Sequence, residues 1–279
     1  MMQPIKARRI STKQETFHTE KAGALVFSKL HFCTLEPNTT RKEGLSHCLP
    51  ALGQTPIVNK SSQEDRMLTF YHHPYSSNAQ KVRLLLEEIG VPFQAVLVNL
   101  QKGEQALPHF LAINPFGAVP AIDHDGFPLA ESNTILRYLA QVFGPKELYP
   151  DDLKERARID QAMDFTTAHI SRWLATLNWH QVIAPMMDLP SNPLAITEAE
   201  VQLQRYLPKL ERSLKTEKPF IAGPHYTIAD ISFVPLLAQA FRLEVDFHSH
   251  PLVHAYAERV LEREAWKKVE ETMRPMSGS

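Results

Sequence analysis

One stretch, Asn114 to Ala140, constrains this chain more than any other: N-P-F-G-A-V-P-A-I-D-H-D-G-F-P-L-A-E-S-N-T-I-L-R-Y-L-A. Val119-Pro120 leads into a short apolar run, Ala121-Ile122. Asp125-Gly126 is a tight-turn dipeptide, and Phe127-Pro128-Leu129 follows it as a second short strand. Glu131-Ser132 then opens a segment with Ile135, Leu136, Leu139 and Phe143 at helical spacing. A strand, a turn, a strand and a helix N-terminus therefore converge within a few residues. The polar groups at that junction are the Val119 backbone, Glu131, Ser132 and the first free N–H groups of the helix. Such a set suits a ligand that is part peptide and part carboxylate.

The flanking sequence extends this pattern. Leu68 to Tyr71 is a β-type run. Ser76, Ser77 and Asn78 are all good N-caps for a helix with Val82, Leu85, Leu86 and Ile89 on one face and Gly90 as its stop. Val91 to Val98 holds a second strand, and Lys102 to Gln105 begins a loop and a short helix reaching about Ala112. The order from Met67 to about Phe143 is β-α-β-α-β-β-α, a thioredoxin-like α/β half with short crossover connections. Gly144-Pro145 to Pro150 is a break, and no strand pattern survives beyond it. Helices are predicted over Asp152 to Val182, over Glu198 to Leu214 with Val201, Leu203, Leu207, Leu210 and Leu214 as an apolar stripe, and over Pro251 to Leu261 and Glu264 to Met273. Pro185 to Pro193 reads as a loop, and Trp173 and Trp179 read as core residues. Thr227 and Asp230 have capping-box spacing, with Tyr226 and Ile231 placed as a hydrophobic staple. The helix behind them is apolar nearly all round, so it should be buried, with a kink at Pro235. The expected organisation is an α/β thioredoxin-like domain at 67–146 followed by an all-α domain at 152–273. Residues 1–66 are polar with isolated apolar clusters and read as a disordered extension.

Composition removes several classes of function. A formal net charge of -1 gives no reason to expect a nucleic-acid partner. No apolar run reaches the ~20 residues that a spanning helix needs, so no membrane role is expected. Cys33 and Cys48 are the only cysteines. From Met67 onward, sulfur chemistry must use a sulfur brought by a ligand. His248, His250 and His254 cluster without a fixed ligand set, so no metal is expected.

The Val119-Pro120 and Glu131-Ser132 stretch resembles the glutathione-binding half of the cytosolic glutathione transferase family, and the Thr227–Asp230 box matches that family's all-helical second domain. The resemblance runs from Met67 to Met273. Ser76 and Asn78 look like the serine-type classes, phi and theta, and like the nu class, where Thr-x-N is used. His73-Pro74-Tyr75-Ser76 sits where glutaredoxins carry Cys-Pro-Tyr-Cys, so dithiol chemistry by the protein itself is absent. The resemblance implies a cis bond before Pro120, with Val119 pairing the cysteinyl backbone of glutathione. It implies that Glu131 holds the α-ammonium, that Ser132 and the helix N-terminus hold the adjacent carboxylate, and that Gln105 holds the glycyl carboxylate. It places Phe116 in a homodimer interface, unless that ring is simply a core residue. The implied activity is cytoplasmic detoxification, with glutathione as co-substrate and a small electrophile as its partner. Glutathione-dependent reduction of a disulfide is the first alternative, and a non-enzymatic scaffold of the same fold is the second.

Ser76 is the expected catalytic group, with Asn78 as a second donor. Either Ser76 only caps the helix, or its hydroxyl also meets the ligand thiolate. A free thiol has a pKa of ~8.5. A hydrogen bond to a charged group contributes ~1.5–3 kcal/mol, and a helix end roughly 0.3–1 kcal/mol. At ~1.36 kcal/mol per pKa unit, the two together lower the thiol by roughly one to three units. The thiolate, which is the nucleophile, would then be the main species near neutrality.

Overall fold

The computed structural model describes residues 67–273. The extension read at 1–66 lies outside the described residues, and Cys33 and Cys48 lie there with it. The first half contains strand β1 (Leu68–His72), helix α1 (Ser77–Ile89), strand β2 (Gln94–Leu97), helix α2 (Pro108–Leu111), strands β3 (Ala121–His124) and β4 (Phe127–Ala130), and helix α3 (Ser132–Val142). The sheet order is β2-β1-β3-β4. β1 pairs parallel to β2 and antiparallel to β3, and β3 pairs antiparallel to β4.

Period-two alternation decides what each face of this sheet covers. Leu68, Phe70 and Ile122 join the core that includes α1 and α3. Tyr71 and Ala121 point the other way, into a smaller cluster around Phe110 of α2. α1 is fixed at both ends by its own sequence. Ser76 is its N-cap, with Oγ accepting from the Ala79 N–H at 3.3 Å. Gly90 ends it at φ 65, where its N–H donates to the Leu86 carbonyl.

The second half is helical: α4 (Leu153–Thr166), α5 (Arg172–Asn178), α6 (Ala184–Met186), α7 (Pro193–Ser213), α8 (Ile228–Arg242), α9 (Pro251–Leu261) and α10 (Glu264–Glu271). Wide turns of π type, Thr167–Ser171 and Trp179–Ile183, join α4 to α5 and α5 to α6 in one uninterrupted helical run. Together the elements form a thioredoxin-like α/β half followed by an all-α half. Bidentate bonds from Arg263 to Glu88, at 2.6 and 2.8 Å, tie the start of α10 to α1.

Several sequence expectations need correction. The loop read at Pro185 to Pro193 is shorter, because the helical run continues through Met186 and Asn192 caps α7 with Pro193 in its first turn. Val201 is 60% exposed and does not belong to the apolar stripe of α7. It lies two residues, or ~200°, from Leu203, whereas Ala199, Leu203, Leu207 and Leu210 share the buried face. Trp179 is 43% exposed rather than core, at the start of a π turn in which no residue is buried. By contrast, Pro235 sits inside α8 as the sequence places it, and the helix continues past it.

α8 is buried continuously from Ile228 to Ala240. Its N-terminus carries the capping box at Thr227 and Asp230. The Asp230 carboxylate is fully buried and accepts from Ile221 N–H (3.1 Å), Tyr256 O–H (3.0 Å) and Thr227 N–H (2.8 Å). Burial pushes its carboxyl up to about 6 against the pull of those donors. Asp230→Ala strips several buried donors of their acceptor at once. We expect it to cost on the order of 3 kcal/mol or more in urea denaturation, because each orphaned buried donor costs ~1–3 kcal/mol.

Candidate functional site

The site is assembled where the N-termini of α1 and α3 meet the entry to β3. The Val119-Pro120 peptide bond is cis. Asn114, buried five residues earlier on the chain, shapes the approach. Its Nδ2 donates to the Ala118 carbonyl at 2.6 Å, and its Oδ1 accepts from the Phe116 N–H at 3.0 Å. Val119 N–H and C=O make no backbone hydrogen bond among the described residues. These two groups are therefore left for an added peptide strand to pair with.

The β3–β4 hairpin turns at Asp125 and Gly126, whose φ values of 54 and 82 are both positive, as a primed turn requires. β4 then delivers Glu131 at φ 68, an uncommon conformation for a residue with a side chain. Such strain costs ~1–3 kcal/mol and persists only where its surroundings hold it. Glu131 is exposed and leaves the first N–H groups of α3 without a side-chain cap. An anion can therefore take them. Ser132 Oγ lies 3.5 Å from Asn78 Oδ1, so the two helix N-termini touch through these side chains. Asn133, next in sequence, is anchored to the helical half: Nδ2 donates to Thr167 Oγ1 at 3.0 Å, and Oδ1 accepts from Ser232 Oγ at 2.8 Å.

Ser76 precedes α1. Its Oγ uses a lone pair to cap Ala79, which leaves its hydrogen for a ligand. The readings as a cap and as a donor are therefore compatible. The preceding loop is braced by the far end of the chain. Tyr75 O–H donates to the Met273 carbonyl at 3.0 Å, and Gln80 Nε2 donates to the Pro74 carbonyl at 2.7 Å. Burial and the Arg83 charge hold His72 neutral, with a pKa of about 4.

Gln105 lies in a short turn, Glu104–Ala106, and its Oε1 is buried without a partner. The loop before Pro120 comes close to it: a Cβ at Gly117 would stand 3.3 Å from the Gln105 carbonyl oxygen. Phe116 is 71% exposed, so it is not a core residue. The structure thus brings Ser76, Asn78, Glu131 and Ser132 to one junction, with Val119 and Pro120 at the strand entry. Gln105 is beside the same loop, and Phe116 projects from that loop.

Sequence reasoning missed Lys81. It is 2% exposed in the middle of α1. Burial pulls its ammonium down to about 8, and the Glu131 carboxylate opposes that shift. The signal was available, because Lys81 is four residues before Leu85, on the apolar face of the helix. Asn114 was missed as well, because side chain to backbone bonds across a loop leave no periodic trace.

Among the described residues, no group of His, Cys, Asp and Glu could hold a metal ion, and His248, His250 and His254 form no such group. No helix among them is long and apolar enough to cross a membrane.

Comparison with known proteins places this geometry in context. The family model for the glutathione S-transferase N-terminal domain matches residues 66–141, and the model for the C-terminal domain matches residues 178–264. The chain is 31% identical over 213 residues to glutathione S-transferase F10 of Arabidopsis thaliana, covering 73% of this chain and 96% of that one. The crystal structure of glutathione transferase F2 from Populus trichocarpa superposes with a TM-score of 0.69 at 33% identity, covering 74% of this chain and 98% of that one. Glutathione transferase URE2P8 from Phanerochaete chrysosporium, solved with oxidized glutathione, gives a TM-score of 0.67 at 26% identity over 75% of this chain and 95% of that one.

The bonds of Asn114 carry a stability expectation. Asn114→Ala removes the acceptor of the Phe116 N–H and the donor to the Ala118 carbonyl. It should cost ~1–3 kcal/mol by chemical denaturation. Asn114→Asp keeps that acceptor but sets a buried carboxylate oxygen against the Ala118 carbonyl, so it should lose at least as much.

Proposed function

The chain belongs to the glutathione S-transferase family, and on that premise we propose that it joins the thiolate of glutathione to a small electrophile. The observation that carries this reading is the meeting of two uncapped or half-capped helix N-termini, at Ser76 and at Ser132, beside the free edge of Val119. Glutathione is a peptide with a thiol and two carboxylates, so it needs a strand edge, a thiolate donor and anion sites together.

In this reading residues 67–146 bind glutathione and residues 152–273 shape the electrophile's pocket. Val119 pairs the cysteinyl backbone. Glu131 binds the α-ammonium, Ser132 and the α3 N-terminus bind the neighbouring carboxylate, and Gln105 reaches the glycyl carboxylate. Ser76 donates its hydrogen to the sulfur and keeps it throughout. The sulfur lone pair attacks an electrophilic carbon, a carbon–sulfur bond forms, and the leaving group departs with its electrons. The protein contributes orientation and charge stabilisation rather than a nucleophile of its own. The protein would work as a cytoplasmic homodimer in detoxification.

A second reading is glutathione-dependent disulfide reduction. It is favoured by Asn78, which can donate to a second sulfur, and by the likeness to a transferase solved with oxidized glutathione. One experiment decides between them: the purified full chain is assayed for conjugation of an aryl halide and for reduction of a small disulfide. Conjugation should dominate, and disulfide reduction alone would overturn the first reading.

Ser76→Ala should raise the pKa of bound glutathione by roughly one to two units, the share of the lost hydrogen bond. Conjugation at neutral pH should fall about tenfold or more and partly recover at high pH, as stopped-flow pH–rate profiles would show. The double variant with Asn78→Ala should shift further. An unshifted profile in both would leave the thiolate to backbone N–H groups alone.

Phe116, exposed on the loop before Pro120, is proposed to seat in the partner subunit. Phe116→Ala should weaken self-association in sedimentation velocity at micromolar concentration. A monomeric wild type would contradict the assignment.

A further inference from the structure

We propose that Asn133 is a positioning residue for this site: its side-chain amide, held by Thr167 on one side and Ser232 on the other, fixes the turn of α3 whose N–H groups receive the ligand's α-carboxylate. The proposal rests on the glutathione-binding reading above and gives the helical half a part in it.

The start of α3 needs holding. The chain enters it through Glu131 at φ 68, and no side chain caps it. Its first turn closes only at the Ile135 N–H, which donates to the Glu131 carbonyl at 2.9 Å. The N–H groups of Ser132, Asn133 and Thr134 have no acceptor among the described residues. α9 also lacks a cap of its own, and there the Glu211 carboxylate takes the Leu252 and Val253 N–H groups at 3.0 and 2.8 Å. At α3 no carboxylate of the described residues fills that place, and the turn is braced by another route.

Asn133 is that route. Its Nδ2 donates to Thr167 Oγ1 at 3.0 Å, and its Oδ1 accepts from Ser232 Oγ at 2.8 Å. One bond uses the donor side of the amide and the other the acceptor side, so the plane of the side chain is fixed. The two partners lie on different elements. Ser232 is fully buried in α8, and Thr167 opens the π turn between α4 and α5. Thr167 is exposed and can take water as its partner, so its bond to Asn133 is not needed to satisfy a buried group. What that bond adds is direction.

Direction matters here because a hydrogen bond weakens steeply as its angle falls. The Asn133 N–H is itself one of the three that are free, so the side chain anchors the same residue whose backbone faces the ligand. A turn that swings loses aim on the carboxylate, whereas the thiolate donor at Ser76 stands on a different helix and is untouched.

The test is a double-mutant cycle on the full chain, with Asn133→Ala, Thr167→Val and both together. Binding of S-methylglutathione is measured by calorimetry, because that probe keeps the α-carboxylate and has no thiol to titrate. Thr167→Val should weaken binding about threefold and Asn133→Ala about tenfold. In the Asn133→Ala background Thr167→Val should weaken it less than about 1.5-fold further. Thr167→Ser, which keeps the acceptor, should bind as the wild type does. Unchanged affinity in Thr167→Val, whatever its melting temperature, would overturn the proposal and leave the glutathione-binding reading intact. So would equal losses from Thr167→Val in the two backgrounds, since Thr167 would then act without Asn133. A wild type that does not bind the probe would overturn that reading, and this proposal with it. If Asn133→Ala does not fold, Thr167→Val and Thr167→Ser decide between them, and equal affinities would overturn the proposal.

Discussion

A helix that is apolar on every side must be surrounded, and α8, buried from Ile228 to Ala240, is packed against α1, α3, α4, α5 and α9. This requirement joins the two halves of the molecule into one core, since α1 and α3 belong to the sheet and the others do not. Two polar side chains of α8 are committed to its neighbours. Asp230 gathers the turn at Ile221 and the ring of Tyr256. Ser232 reaches Asn133, the residue after Ser132. The helix thus sets where the N-terminus of α3 points, and the ligand end of the site inherits that direction. A sheet half without α8 would lose both its apolar cover and the anchor of Asn133.

The chemistry that this scaffold supports is modest in its demands. In the proposed reading a thiolate needs one hydrogen-bond donor and a favourable field, and Ser76 with the start of α1 would supply both. On the same reading the reacting sulfur comes with the ligand, so the region from Met67 onward can do without cysteine. What it must provide is fixed geometry. The buried Asn114, the positive φ of Glu131 and the anchored Asn133 all immobilise backbone at the places where a peptide ligand would lie.

The order of the elements was legible because it is written in local signals. Ser76 and Gly90 bracket α1, Asp125-Gly126 turns the hairpin, and Thr227 with Asp230 caps α8, all within a few residues of chain. Ser76, Asn78, Glu131 and Ser132 could be singled out because they sit at helix starts, beside free N–H groups, in stretches that resemble the family's. The limits of α7 were misjudged because a proline can open a helix as well as end one, and Pro193 opens it behind the Asn192 cap. The π turns at Thr167–Ser171 and Trp179–Ile183 escaped notice, since one extra residue per turn leaves no compositional mark and only rotates the helix beyond it. Lys81 escaped for another reason. A charged residue on an apolar face looks like an irregularity in the pattern, and only the packing reveals that it is enclosed.

The brace on the Ser76 loop has a bearing on how the protein is made. Tyr75 meets the Met273 carbonyl across 198 residues of chain, and Gln80 reaches the Met273 sulfur as well. During synthesis the thioredoxin-like half emerges first and can begin to fold, because domains generally form as units from the N-terminal end. The loop before α1 nonetheless stays unbraced until α10 has left the ribosome and docked on α1. A segment made late thus braces a loop made nearly two hundred residues earlier.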